Sequence, residues 1–106
     1  MDVQINTAND VAGREALTRQ LEETVRTRLS RFSERLTRVE VHVGDENGDR
    51  GGDDKRCVIE VRPAGRDPIS VTDQAGSIDQ ATSGALAKVA TALDRAFGKI
   101  TDRKGH

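Results

Sequence analysis

Residues 14–43, REALTRQLEETVRTRLSRFSERLTRVEVHV, change their hydrophobic period once, and that change limits what the chain can fold into. Leu17, Leu21, Val25, Leu29 and Phe32 recur at three- and four-residue steps, which places them on one face of a helix expected to end near Arg35. Val39, Val41 and Val43 then alternate with Arg38, Glu40 and His42, the two-residue period of a half-buried strand. A helix that runs almost directly into such a strand is expected to cover the sheet the strand joins.

The remaining segments complete that sheet or add a second helix. In DVQINT, residues 2–7, Val3 and Ile5 alternate with Gln4 and Asn6, as in a first strand, and Asn9 or Asp10 is a suitable cap for the helix that follows. Strand two is expected over Leu36–Gly44 and strand three over Lys55–Arg62, with Cys57, Ile59 and Val61 on one face. Between them lies an acidic hairpin loop, residues 45–54, DENGDRGGDD, rich in turn-forming Gly and Asn. Pro63, Gly65 and Pro68 interrupt the pattern before a short strand four, Ile69–Thr72. A second helix begins after Asp73 or Ser77 and runs to about Asp102, its stripe including Ile78, Ala81, Ala85, Leu86, Val89, Leu93 and Phe97. Gly84 within it costs roughly 1 kcal/mol relative to Ala. Residues 103–106 read as a frayed tail. The order β-α-β-β-β-α implies a single α+β domain, residues 1–106: a two-layer fold with a four-stranded sheet and both helices on one face.

Composition narrows the function. Hydrophobic residues make up 34% and aromatics 2%, both Phe, so the core is built from Val, Ile, Leu and Ala. The sequence has no apolar run long enough to span a bilayer, its opening MDVQINT reads as a strand so that no secretory leader is expected, and its single cysteine suits a reducing cytoplasm. Net charge is −1, but unevenly spread: residues 14–38 hold seven Arg against four Glu, while residues 45–56 hold five acids against three bases. At 100° per residue, Arg28, Arg31 and Arg35 share one flank of helix one, and Lys88, Arg95 and Lys99 one edge of helix two. Side-by-side packing would join them in a basic groove suited to phosphate oxygens of folded RNA. Ordinary solvated helix faces with i,i+4 pairs, such as Glu22–Arg26 and Glu34–Arg38, are the alternative and, on patterning alone, the commoner outcome.

Other chemistries find little support. Asp45, Asn47 and Asp49 have the first spacings of a calcium loop, but Arg50 and Arg56 stand where Gly and Glu are required, so no metal is expected. Cys57 faces the core and is expected to be inert. Glu40, His42 and Glu60 read as a cross-strand charge cluster. With no nucleophile motif or phosphate-binding Gly loop, neither an enzyme, a cofactor nor a small-molecule substrate is expected. The absence of Trp and Tyr disfavours base stacking on single strands.

The VQINT opening, the EALTRQLEETVRTRLSRF helix, the LTRVEVHV strand, the segment VHVGDENGDRGGDDKRCVIEVR with PAGRDPISV, and the VTDQAGSIDQA entry to helix two together resemble the ribosome hibernation-promoting factor family. Its members are also called ribosomal subunit interface or sigma-54 modulation proteins. The resemblance covers roughly residues 2–100 and implies a cytoplasmic factor of bacteria under stress. Such a factor binds the small ribosomal subunit in the channel of messenger and transfer RNA and blocks translation through contacts to 16S ribosomal RNA. By position, Arg28 and Arg31 match basic positions of the family's first helix, and Lys88, Arg95 and Lys99 fall in the basic region of its second. The resemblance is to the family's short form, without the dimerisation domain of the long forms, so the protein is not expected to pair ribosomes by itself; a monomer is expected. The alternative is a protein-interaction module of the same fold, using the polar sheet face or the acidic loop.

Overall fold

A computed structural model describes residues 1–7, 14–45 and 55–98. The elements are β1 (Asp2–Thr7), α1 (Arg14–Arg28), β2 (Leu36–Asp45), β3 (Lys55–Pro63), β4 (Ile69–Ala75) and α2 (Ile78–Leu93). A 3₁₀ segment, Ser30–Arg35, links α1 to β2, and a π-helical turn, Asp94–Gly98, follows α2. The expected caps Asn9 and Asp10, the acidic loop beyond Asp45, Lys99 and the tail lie outside the described residues.

The sheet has the order β1-β2-β3-β4. β1 and β2 are parallel, which α1 makes possible as the crossover; β2–β3 and β3–β4 are antiparallel. Val39, Val41, Val43, Cys57, Ile59 and Val61 point into one layer of core, where they meet Leu21, Val25 and Leu29 before β2 and Ala81, Ala85, Leu86, Val89 and Leu93 from α2. Each fully buried Leu, Ile or Val there contributes roughly 1.5–3 kcal/mol by leaving water. α1 packs on β1, and α2 on β3 and β4, so the helices lie over opposite halves of one sheet face. The two-layer α+β architecture expected from the order of elements is the one observed.

The structure differs from the sequence expectation at several points, among them the second helix, whose α-helical turns end at Leu93 and give way to the π-helical turn where a helix to about Asp102 is expected. The first helix does not reach Arg35: it stops at Arg28, and Phe32 N donates to Leu29 O at 2.9 Å in the tighter turn that follows. A three-residue spacing such as Leu29–Phe32 serves either kind of helix, so periodicity alone does not separate them. Leu36 and Val39 both point inward although an odd step separates them. A bulge resolves the parity: pairing jumps between Leu36 and Arg38, and the Thr37 hydroxyl donates to Arg62 O at 3.0 Å. β4 extends three residues past Thr72, because Asp73 is held on the helix side of the sheet by partners in α2.

α2 begins at the later of the two expected starts. Ser77 is its cap, accepting from Gln80 N at 3.1 Å, an interaction worth about 1 kcal/mol. No described helix is long and apolar enough to cross a membrane.

Candidate nucleic-acid interface

Arg28, Arg31, Arg35, Lys88 and Arg95 fall into two tracks on the helix layer, while Arg19 and Arg26 lie on the β1 side of α1. The first lies between the helices. Arg28, the last residue of α1, donates from Nη1 to Ser83 Oγ at 3.1 Å. One turn on, Arg31 makes a two-pronged ion pair with Asp94, at 2.7 and 3.0 Å, and its guanidinium carbon lies 4.2 Å from the centroid of the Phe32 ring. Arg35 closes the 3₁₀ segment with its guanidinium carbon 5.1 Å from the centroid of Phe97. These three residues share a flank, as their spacing suggested, and that flank faces α2.

The second track is on the far side of α2. Lys88 Nζ donates to the Thr72 carbonyl at 2.7 Å and lies 3.2 Å from Asp73 Oδ1, both in edge strand β4. Lys88 and Arg95 border an open groove of about 310 Å³ with Ala87, Thr91 and Ala92, whose short side chains leave the helix surface low. The structure therefore does not join Arg28, Arg31 and Arg35 with Lys88 and Arg95 in one groove. The flank of α2 that meets α1 carries Ser83 and Asp94; the basic edge points toward β4. Periodicity placed each residue correctly on its own helix, but it holds no information on which edge of α2 faces α1. Lys99 lies outside the described residues.

Mutual hydrogen bonding sets the charge state of the Arg31–Asp94 pair. It holds the Asp94 carboxyl below the usual carboxylate range and raises the Arg31 guanidinium further. Both side chains are about half exposed, 60% and 49%, so the pair is screened by water and contributes little to stability. It nevertheless places a carboxylate in the inter-helix track that the sequence reading treated as wholly basic.

Asp73, expected only as a possible helix start, is the second residue whose contact the sequence does not show. Its carboxylate lies against Gly84, where a Cβ would overlap Asp73 Oδ2 and stand 2.8 Å from its Cγ. Gly84 is thus not simply a weak point in α2: it makes room for the side chain that pairs with Lys88. The third is Arg66, delivered by a turn in which Gly65 has φ +73°, and standing with its guanidinium carbon 5.0 Å from the same Phe97 centroid as Arg35. The Gly65–Arg66 dipeptide was a visible turn signal, but its tertiary neighbour was not.

The opposite sheet face carries an ordinary polar network. Arg38 Nη2 donates to Gln4 Oε1 at 2.8 Å, and its Nε lies 2.9 Å from Glu40 Oε2 without hydrogen-bond alignment. His42 Nε2 lies 3.6 Å from Glu40 Oε1, while Glu60 sits opposite Glu40 in register. Cys57 is fully buried, and loss of hydration pushes its thiol up, away from the reactive thiolate. Among the described residues, no group of three His, Cys, Asp or Glu side chains is placed to hold a metal.

Comparison with known proteins adds a family and a fold. The family model described as Sigma 54 modulation protein / S30EA ribosomal protein matches residues 7–101. Among solved structures, a ribosomal subunit interface protein from Coxiella burnetii superposes with a TM-score of 0.72 at 15% identity, covering 92% of this chain and 99% of that one. The Thermus thermophilus Protein Y N-terminal domain superposes with a TM-score of 0.69 at 19% identity, covering 90% and 98%. A search among curated proteins finds no match.

Proposed function

Since the chain belongs to the Sigma 54 modulation protein / S30EA ribosomal protein family, we propose that it associates with the ribosome as a translation inhibitor of the hibernation type. It binds the small subunit through 16S ribosomal RNA and acts by occupying space, without catalysis. The observation that carries this reading is the family match across residues 7–101. The helix layer supplies the chemistry: Arg28, Arg31 and Arg35 in the inter-helix track, and Lys88 and Arg95 along the outer edge of α2.

That Arg31 and Lys88 already hold carboxylates does not remove them as contacts. Exposed ion pairs are worth roughly 0–1 kcal/mol, so exchanging Asp94 for a phosphate oxygen is inexpensive, and the half-exposed Lys88 ammonium can meet a phosphate while it keeps Asp73. Arg28 likewise has only a neutral serine to leave. Cosedimentation with 30S and 70S particles at two salt concentrations tests the reading. Association should be strong at low salt and fall as salt rises, because bound cations displace counterions from the RNA. No association even at low salt would sink it.

A second reading is a module of the same fold that binds a protein through the polar sheet face. Closure of Arg31 on Asp94 and of Lys88 on Asp73 favours it, because both lower the positive field over the helices. Binding indifferent to salt would support this alternative.

A further inference from the structure

The arginines of this surface are not held alike. Arg31 is neutralised by Asp94 and Arg28 is bonded to Ser83. Arg35 and Arg66 instead share an aromatic ring, with guanidinium carbons 5.1 and 5.0 Å from the Phe97 centroid. Attraction to a ring face orients a guanidinium without engaging any of its five N–H donors. Among the described residues, neither arginine is paired with a carboxylate, and Asp67, next to Arg66, makes no ion pair with it. These are oriented, charged forks with their donors open.

The frame beneath them is fixed. Ala64 N, in the β3–β4 turn, donates to the carbonyl of Arg35 itself at 2.8 Å, and Arg66 N donates back to Pro63 O at 3.2 Å. Phe97 is only 6% exposed and packs against Phe32, with ring centroids 6.5 Å apart. The two cations therefore stand on backbone segments tied to each other and on a ring anchored in the core. Arg66 also adds a cation from outside the helices to the inter-helix track. Following Ser83, Asp94 and Phe97 along α2 and its π-helical turn, the row runs Arg28, Arg31 and Arg35, with Arg66 beside Arg35 at the Phe97 ring. A row of forks suits a continuous polyanion better than one isolated anion.

We infer that Arg35 and Arg66 form a two-arginine clamp for phosphodiester groups of an RNA backbone, at the end of the domain where the β3–β4 turn meets the 3₁₀ segment. The clamp rests on the ribosome-binding reading and adds a residue from outside both helices to it. Each arm donates through its guanidinium edge while Phe97 holds its orientation.

Two measurements separate the clamp from that wider reading. In the first, Arg66→Gln and wild type are titrated with small ribosomal subunits across a salt series, with circular dichroism confirming that the variant is folded. The clamp requires roughly tenfold weaker binding and a log–log salt slope shallower by about one. In the second, the Arg Nε–Hε NMR signals of the wild-type chain are followed as an A-form RNA duplex is added; the Arg35 and Arg66 signals should shift. Subunit binding with unchanged affinity and slope in Arg66→Gln overturns the clamp and leaves the function reading standing. RNA-induced shifts at both arginines without subunit binding support the clamp and overturn that reading. Weaker subunit binding with no RNA-induced shift assigns the pair to an acidic protein surface and overturns the clamp. No response in either measurement overturns both.

Discussion

Asp94 is the residue on which the inter-helix track turns. It sits among Arg28, Arg31 and Arg35, and it neutralises the middle one. Any polyanion that approaches must displace it or tolerate it. Asp94→Asn should therefore tighten RNA or small-subunit binding by up to roughly fivefold, measured by titration at fixed salt. Unchanged or weaker binding would show that Arg31 is not a contact. The same substitution has a signature in acid. Arg31 holds the folded-state carboxyl below its unfolded value of about 3.9, so the pair's contribution is present above that pH and is lost as pH falls through the folded value. Denaturant midpoints of wild type and Asp94→Asn should differ slightly at pH 7, and the difference should shrink as acid protonates the carboxyl in the folded state. Nothing in the sequence singled out Asp94, because its partner lies 63 residues away. The i,i+4 pair Arg26–Glu22, at 3.1 Å, was legible for the opposite reason: one helix contains both members.

At the scale of the element, α2 shows how a local penalty can hide a tertiary fit. By propensity alone, Gly84→Ala should stabilise the helix by about 1 kcal/mol. In the wild-type background that gain should be offset, because the new methyl group collides with the Asp73 carboxylate. In an Asp73→Ala background the gain should return. A double-mutant cycle from urea unfolding would measure the coupling, and a value near zero would mean that the carboxylate rearranges freely. The 3₁₀ segment carries a related lesson. The spacing from Leu17 to Phe32 defines one face of the element, but the narrowing after Arg28 is not legible in it, since Leu29 and Phe32 fit either helix type. The end of β4 was missed because Asp73 and Gln74 are poor strand formers. Pairing to Cys57 and Arg56, together with the Lys88 and Gly84 contacts of Asp73, outweighs that preference.

For the molecule as a whole, the change of period within residues 14–43 was enough to order the layers. A helix preceding a strand, followed by two hairpin-connected strands and another helix, leaves few ways to bury six apolar faces, and the sheet order follows. What pattern does not specify is the azimuth at which two helices meet across a sheet. That one angle decided that Lys88 would look outward over β4, with Arg95 along the same groove, and not across at Arg28. Arg66, absent from any helical pattern, reaches the same Phe97 ring as Arg35 from the β3–β4 turn. The outward turn of Lys88 has a consequence of another kind. β4 is the last strand of an open sheet, and an uncovered strand rim is a template on which a second chain can add. Lys88 lays a charged ammonium on the Thr72 carbonyl of that strand at 2.7 Å. Lys88→Ala should therefore promote concentration-dependent self-association in analytical ultracentrifugation, whereas a monomeric variant at all concentrations would deny the lysine this role. On that expectation the lysine guards the sheet margin, setting a charge where a second copy of the chain would otherwise add a strand.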